Sequence, residues 1–212
     1  MSIKWKNFIT RSFISIVGIT FISMGAALSE VMAMGLDPFT ALNRGASSLL
    51  GVSLGDYQLI VNLISLIIIF YLERSLIGWG SVYNMIFIGY QIDFFNQLFT
   101  QLFQVENLSL LTRVLITIVA ILVLSLGVAV YMDIQFGVSP YDAIAPLIVD
   151  KTGWEYTPVR IGQDVLVVIT AYLLKGPVGI STVIIGFFAG PLIALFSDKI
   201  SKPLIEQVTT TE

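Results

Sequence analysis

Cysteine and histidine are both absent from this chain of 212 residues. Their absence excludes disulfides, thiolate nucleophiles, haem ligation, serine–histidine catalysis and the usual zinc sites. Charged residues are scarce as well, at 12% of the chain, which is about half of their share in soluble domains. The net charge of −3 and the lack of a basic stripe argue against a nucleic-acid partner. We therefore expect no cofactor, no metal ion and no enzyme active site.

The chain is instead rich in apolar residues. Hydrophobic residues make up 56% of it and the mean hydropathy is +0.90, more than a soluble core of this size can bury. A helix of about 20 apolar residues crosses the hydrocarbon core of a bilayer. Six windows have this character, and we predict an all-α membrane protein with spans at 12–34, 55–73, 79–98, 111–134, 157–174 and 178–197.

The connections after the first and the fourth span carry the same polar pattern. The stretch "GLDPFTAL" begins at residue 35 and "GVSPYDAI" begins at residue 137, which is 102 positions later. In each, an N-cap residue, Asp37 or Ser139, precedes a proline, and this combination is typical of a helix start.

The same connections predict two short helices, over 38–50 and 140–152. Gly51 and Gly153 follow at the same distance from each proline and are expected to end the helices. A helix of this length measures about 20 Å, so we expect it to enter the membrane half-way. Pro146 lies inside the second short helix and predicts a kink or a break there.

Three spans and one short helix thus occur twice, as repeats over 1–104 and 105–212 of a single membrane domain. If the short helices do not cross the membrane, each half has an odd number of spans and the halves are inverted. If they do cross, the chain has eight spans and the repeat is parallel. We favour the inverted arrangement, in which secondary transporters bind their solute at the repeat interface.

The distribution of positive charge predicts the orientation but not the number of spans. Cytoplasmic ends of membrane spans are enriched in Lys and Arg. With both termini in the cytoplasm of a bacterial cell, most of the 11 basic residues lie on the cytoplasmic side, namely Lys4, Lys6, Arg11, Arg74, Lys151, Arg160, Lys199 and Lys202. The model with eight spans satisfies the rule equally well.

The short helices supply the first candidate site residues. A helix start carries a partial positive charge and unpaired N–H groups, which attract a small anionic or strongly polar solute. We predict that Asp37, Asn43, Ser139 and Asp142 contact such a solute. The alternative is that they only cap helices that lie on the membrane surface.

Polar residues within the spans supply the second set. Ionisable groups inside a membrane are costly and are therefore candidates for function. Asp164 and its counterpart Asn62 lie at one duplicated depth, and we expect them to face the bundle interior as solute-binding residues. Glu30 and Asp164 are the candidate coupling carboxylates. Arg160, one turn before Asp164, allows the alternative of a purely structural ion pair.

Glycines recur along the predicted spans, and small residues allow membrane helices to approach closely. We expect this packing role for Gly18, Gly25, Gly78, Gly80, Gly89, Gly179, Gly186 and Gly190.

The segments "FGVSPYDAI", "KTGWEYTPVRIGQDVLVV" and "GPVGISTVIIGFFAGPLI" resemble the YczE/YitT-like group of bacterial integral membrane proteins. The resemblance extends over nearly the whole chain, from about residue 15 to residue 200. It implies signature positions at Gly137, Ser139, Pro140, Asp142, Gly153 and Thr182, with Gly35, Pro38, Gly51, Gly80 and Ser81 in the first half. The chain departs from the pattern at Asp37 and Thr40. The resemblance implies a fold and a membrane location but no activity.

We expect a small-solute transporter or permease-like protein with its site at the repeat interface. The alternative is a membrane accessory protein that does not transport and acts through a partner. Assembly with a second copy of the chain or with another membrane protein is compatible with either function.

Overall fold

The computed structural model describes residues 3–210, and within that range the regular structure is helical, as expected. Single 3-10 turns follow α3 and α4, and a π-helical turn joins α8 to α9. The chain termini, for which we predict a cytoplasmic location, lie outside the described residues. The α-helices are α1 Ile3–Val31, α2 Pro38–Leu50, α3 Leu54–Leu72, α4 Trp79–Leu102, α5 Leu110–Asp133, α6 Ile144–Thr152, α7 Tyr156–Leu173, α8 Ile180–Phe196 and α9 Lys202–Thr210.

Four stretches of helix are long and apolar enough to cross a membrane: Asn7–Val31, Leu54–Leu72, Leu110–Asp133 and Ile180–Val208. The other two windows also form long helices, α4 and α7, but carboxylates such as Asp93 and Asp164 lower their hydropathy. The helix α1 begins before residue 12, because the basic residues ahead of the apolar run are themselves good helix formers. The described residues therefore form a multi-pass bundle with four candidate crossings.

The first short helix, α2, has the bounds that the sequence predicts. The Asp37 side chain accepts a hydrogen bond from the Thr40 N–H at 3.0 Å, and Pro38 is the first helical residue. Gly51 ends the helix with a φ of 69°. This left-handed conformation is open to glycine because it has no Cβ.

The second short helix differs from the prediction of 140–152. Residues 140–143 form a turn and α6 begins only at Ile144. Pro146 lacks the N–H that would reach the carbonyl of Asp142, and its ring crowds that carbonyl, so the α-helix cannot extend back to Pro140. Gly153 ends the helix at the expected position.

The core of the bundle is the antiparallel pair α1 and α5. A Cβ on Gly25 would lie 2.5 Å from the Ala120 carbonyl oxygen, and one on Gly18 would lie 2.9 Å from the Tyr131 nitrogen. These contacts place the start of α1 beside the end of α5. We call this end of the bundle the proximal end and the other the distal end.

The directions of the helices α4, α3 and α8 follow from their contacts at the two ends of the bundle. The α4 helix runs with α1 from the proximal end, where Phe8 and Trp79 have ring centroids 5.8 Å apart. The α3 helix is antiparallel to α4, since the Gly55 N–H at its start donates to Asp93 at 2.9 Å. The α8 helix reaches the proximal end, where Ser197 donates to Asp133 at 2.9 Å.

A loop at the distal end links the first half to the second. The Leu36 N–H donates to the Pro177 carbonyl at 2.9 Å, and the Ser181 N–H donates to the Met34 carbonyl at 2.8 Å. Between them, Gly35 has a φ of +99° and lies against the backbone of Gly179.

A matching loop links the halves at the proximal end. The Val138 N–H donates to the Leu76 carbonyl at 3.2 Å, and the Gly80 N–H donates to the Phe136 carbonyl at 2.6 Å. Gly137, with a φ of +115°, lies against Gly78 in the same way. The contact of Gly137 with Gly78 thus resembles that of Gly35 with Gly179 at the distal end.

The α3–α4 pair is tightly packed, whereas α7 and α8 stand apart. A Cβ on Gly89 of α4 would lie 2.8 Å from the Gly55 Cα. A Cβ on Gly186 of α8 would meet only Pro38, at 3.7 Å, and one on Gly190 would meet nothing within 4 Å. The close-packing role predicted for Gly186 and Gly190 is therefore wrong, and space remains between α7 and α8.

Large apolar side chains cover the outside of the bundle. On α3, Ile64 and Ile68 are about half exposed, and on α7 and α8, Leu166 and Phe188 are exposed to a similar or greater extent. Exposed apolar faces of this extent are not stable in water. They indicate that the helices lie in a lipid bilayer.

Candidate functional site

The two proline-containing segments meet inside the bundle. Phe39, in the first turn of α2, stacks on Tyr141 with ring centroids 4.6 Å apart. The chain reaches Phe39 from the distal end of α1 and reaches Tyr141 from the proximal end of α5. The predicted site residues Asp37 and Ser139 stand two positions before these rings, so the octapeptides converge at one place.

Arg160 of α7 joins two carboxylates at this meeting point. Its Nη1 lies 2.9 Å from the Asp142 Oδ1, and its Nε lies 3.2 Å from the Asp164 Oδ2. The i,i+4 ion pair considered from the sequence is thus present. The Ser139 hydroxyl donates to the other oxygen of Asp142 at 2.6 Å. We call Ser139, Tyr141, Asp142, Arg160 and Asp164 the Arg160 cluster.

Tyr141 ties the cluster together. Its hydroxyl donates a hydrogen bond to Asp164, and its ring lies under the Arg160 guanidinium, 4.9 Å from the ring centroid. Gln163 Nε2 donates to the Tyr141 carbonyl at 3.0 Å. The Asp164 side chain is only 17% exposed, so these contacts act where water screens them weakly.

A cavity of about 130 Å³ lies between α7 and α8, beside the Arg160 cluster. Asp164 is the charged group of its wall, and Thr182 is polar but already accepts a hydrogen bond from the Gly179 N–H at 3.0 Å. The other lining residues are apolar or glycine and include Pro38, Val165, Gly186 and Phe187. The cavity is therefore an apolar chamber with one carboxylate.

Glu30 belongs to a different group, which we call the Arg44 cluster: Glu30, Arg44, Asp93 and Asn96. Arg44 of α2 binds both oxygens of Glu30, at 2.7 and 2.8 Å, and binds Asp93 at 2.7 Å. Asn96 donates to Glu30 at 2.9 Å, and the Gly55 N–H donates to the second oxygen of Asp93. Both carboxylates are therefore held by several donors.

A second cavity, of about 530 Å³, opens beside Glu30 at the distal end. Its lining is largely polar and includes Asn96, Gln104 and Asn107. The Glu30 carboxylate beside this cavity is bound by Arg44, which it shares with Asp93.

The two predicted asparagines have different surroundings. Asn43 is buried, and its amide donates to the Phe39 carbonyl of its own helix at 2.8 Å. Asn62 is fully buried, and its side-chain oxygen and nitrogen have no hydrogen-bond partner among the described residues. Asn62 therefore faces the bundle interior as expected, but it makes no bond to Asp164.

Carboxylates outnumber cations where the helix starts meet. Asp37 and Asp142 both belong to the converging segments, and Asp142 and Asp164 share the single guanidinium of Arg160. The helix start of α2 is already occupied, because Asp37 accepts from the Thr40 N–H. This arrangement is better suited to a cation or a proton than to an added anion.

Sequence reasoning missed the role of Arg44 and of Tyr141. The sequence predicts that Arg44 lies in a half-membrane helix, and an arginine at such a depth would require carboxylate partners such as Glu30 and Asp93. Tyr141 is the aromatic residue of the second octapeptide, and the first has Phe39 at the same place. Tyr141 therefore carries a hydroxyl group that Phe39 lacks, and this difference between the two octapeptides could have indicated its role.

A family model described as a family of unknown function, DUF6198, matches residues 9–198. The chain is 29% identical over 182 residues to the uncharacterised membrane protein YczE of Bacillus subtilis, covering 85% of this chain and 81% of the relative. It is 27% identical over 195 residues to the uncharacterised protein YyaS of the same organism, covering 90% and 92%. No solved structure matches. The resemblance inferred from the octapeptide segments is confirmed.

Proposed function

We propose a function for this chain from its own geometry, because it belongs to the DUF6198 family, a family of unknown function. The proposed function is transport of a small solute across the bacterial cell membrane. The observation that carries it is the convergence of the two octapeptide segments, from opposite ends of the bundle, at the Phe39–Tyr141 stack beside a cavity.

The transporter has six spans, arranged as two inverted halves. The helices α1 and α4 run toward the distal end, whereas α5 and α8, at the corresponding places of the second half, run toward the proximal end. The equivalent loop contacts at the two ends support the same arrangement. In this arrangement α4 and α7 also cross, and their polar residues face the interior.

The short helices enter the membrane and do not cross it. The first turn of α2 lies at the Phe39–Tyr141 stack, and its later residues Ala41 and Gly45 pack against Gly176, after the distal end of α7. Half-helices of this kind place backbone dipoles at the midplane site of many secondary transporters. The solute site therefore includes Asp37, Ser139 and Asp142.

Asp164 is the coupling carboxylate. It forms part of the cavity wall, and its two oxygens accept hydrogen bonds from Tyr141 and Arg160. Glu30 is a weaker candidate, because Arg44 binds both of its oxygens. We place the proximal end, with Arg74 and Lys151, in the cytoplasm.

The alternative function, an accessory protein that acts through a membrane partner, has one specific observation in its favour. Gly162 and Gly190 lie on exposed faces of α7 and α8 with open space around them. Exposed small residues allow a helix of another protein to approach closely in lipid. Such a partner would co-purify with the wild-type chain and would be lost with Gly190→Leu.

Uptake by proteoliposomes tests the transport function. The purified chain is reconstituted with an imposed pH gradient, and a panel of labelled small amines, sugars and carboxylates is offered. We expect at least one solute to accumulate, and Asp164→Asn to reduce its rate at least tenfold, since one lost charge-assisted hydrogen bond corresponds to about that factor.

Asp56→Asn is the matched control, because Asp56 is an exposed carboxylate at the start of α3, away from the Arg160 cluster. Its uptake rate is expected to stay at the wild-type level. Transport is rejected if no member of the panel accumulates, or if Asp164→Asn and Asp56→Asn transport equally well.

A further inference from the structure

The cavity between α7 and α8 has a size that limits its occupant. Its volume is about 130 Å³, close to that of engineered apolar cavities of about 150 Å³ that bind benzene. A single aromatic ring or a short branched alkyl group therefore fills it.

The cavity is also reached from the side of the bundle. Val183 and Phe187 of α8 and Val165 of α7 line it, and each is exposed on the outer surface by 42% or more. The corresponding pair, α3 and α4, is closed by the contact of Gly89 with Gly55. An apolar molecule dissolved in the lipid can enter between α7 and α8 without crossing a polar layer.

The inner wall favours a positive or hydrogen-bond-donating group, although the Asp164 oxygens already accept hydrogen bonds from Tyr141 and Arg160. Asp164 is the charged residue of the cavity wall, and it shares Arg160 with Asp142. The remaining negative charge is unfavourable in surroundings of low polarity unless a cation or a proton neutralises it.

We propose that this cavity binds a small amphipathic amine, which enters from the lipid with its apolar group between α7 and α8 and its ammonium group at Asp164. The proposal rests on the transport function above and names the class of solute. It replaces the anion that the helix starts predicted from sequence, because Asp37 already occupies the start of α2.

Competition binding in detergent micelles tests this assignment. Benzylamine, benzyl alcohol and benzoate share one ring and are cationic, neutral and anionic at pH 7. We expect labelled benzylamine to bind to the purified chain above the level of empty micelles, benzyl alcohol to compete more weakly, and benzoate to compete least.

Two glycines of α8 provide matched variants. Gly186 lines the cavity and has room for a Cβ, so Gly186→Leu fills the chamber and is expected to abolish benzylamine binding. Gly190 lies one turn later, with nothing within 4 Å of a built Cβ and outside the cavity lining. Gly190→Leu is expected to bind benzylamine as the wild type does. Gly186→Ala, a milder change, is expected to weaken binding in part.

Asp164→Asn removes the negative charge from the cavity wall and leaves the shape of the cavity nearly unchanged. We expect benzylamine affinity to fall roughly tenfold and benzyl alcohol competition to stay the same. The proposal is overturned if Gly186→Leu binds benzylamine normally, if benzoate competes better than benzylamine, or if Asp164→Asn leaves the preference for the amine unchanged.

The outcome is separable from that of the uptake test. Benzylamine binding that depends on Asp164, without uptake of any solute, rejects transport and retains the amine site. Uptake that depends on Asp164, in a chain that does not bind benzylamine, rejects the amine site and retains transport.

Discussion

The Arg44 cluster and the Arg160 cluster hold an arginine and two carboxylates each, but they differ in what surrounds them. Each carboxylate of both clusters accepts one further hydrogen bond: Glu30 and Asp93 from Asn96 and the Gly55 N–H, and Asp142 and Asp164 from Ser139 and Tyr141. In the Arg160 cluster, Asp142 is 42% exposed and Asp164 forms part of a cavity wall. The first cluster is the more closed of the two, because Glu30 and Asp93 are only 15% and 21% exposed, although Glu30 also lines the polar cavity, and it holds α1, α2 and α4 together. The second cluster is more open to solvent, at Asp142.

The helix pairs beside the two clusters differ in how closely they pack. The α3 and α4 helices are in close contact through Gly55 and Gly89, whereas α7 and α8 are separated by the cavity. Asn62, the counterpart of Asp164, is fully buried without a hydrogen bond. The α3 and α4 helices thus pack closely, whereas α7 and α8 leave space beside Asp164.

The largest expected change in the free energy of unfolding is the one that distinguishes Arg44 from Arg160. Arg44→Met leaves Glu30 and Asp93 largely buried without a cation, and we expect a loss of about 3 kcal/mol in the free energy of unfolding. Arg160→Met is expected to lose about 1 kcal/mol, because Asp142 is 42% exposed and water can replace part of the lost contact.

Unfolding of both variants in mixed detergent micelles measures this difference. Arg44→Lys serves as a control that keeps the charge and is expected to lie between the wild type and Arg44→Met. A larger loss for Arg160→Met than for Arg44→Met would reverse the assignment of the closed and the open cluster.

Substitutions at the glycines of the two helix pairs are expected to change the free energy of unfolding by a smaller amount. Gly89→Ala forces a methyl group to within 2.8 Å of the Gly55 Cα, and such overpacking costs about 1–3 kcal/mol of unfolding free energy. Gly190→Ala, at the corresponding place of α8, is expected to change it by less than about 0.5 kcal/mol. Equal losses in the two variants, measured under the same unfolding conditions, would mean that α7 and α8 are packed as closely as α3 and α4.

Local sequence signals predicted much of the fold. The N-cap Asp37 with Pro38 and the closing Gly51 gave the bounds of α2 to the residue, because these signals act within one helical turn. Pro146 indicated the break in the second short helix, although the start at Ile144 required the loss of a specific hydrogen bond. The helix α9 after the π-helical turn was not predicted.

The side-chain contacts within the site were harder to predict from the sequence than the bounds of the helices. Arg160 and Asp164 are one helical turn apart, so their ion pair follows from helix geometry. The contact of Arg44 with Asp93 joins residues 49 positions apart and depends on how α2 packs on α4. The open space at Gly186 and Gly190 also depends on packing, since glycine in a membrane helix more often marks a close contact.

We propose that the two halves are inverted and that neither short helix crosses the membrane. Val52 and Trp154, exposed residues just after α2 and α6, can each be changed to cysteine in this cysteine-free chain. We expect a membrane-impermeant maleimide to label Val52→Cys in intact spheroplasts, and to label Trp154→Cys only after permeabilisation. Labelling of both cysteines from the same side would contradict the inverted arrangement.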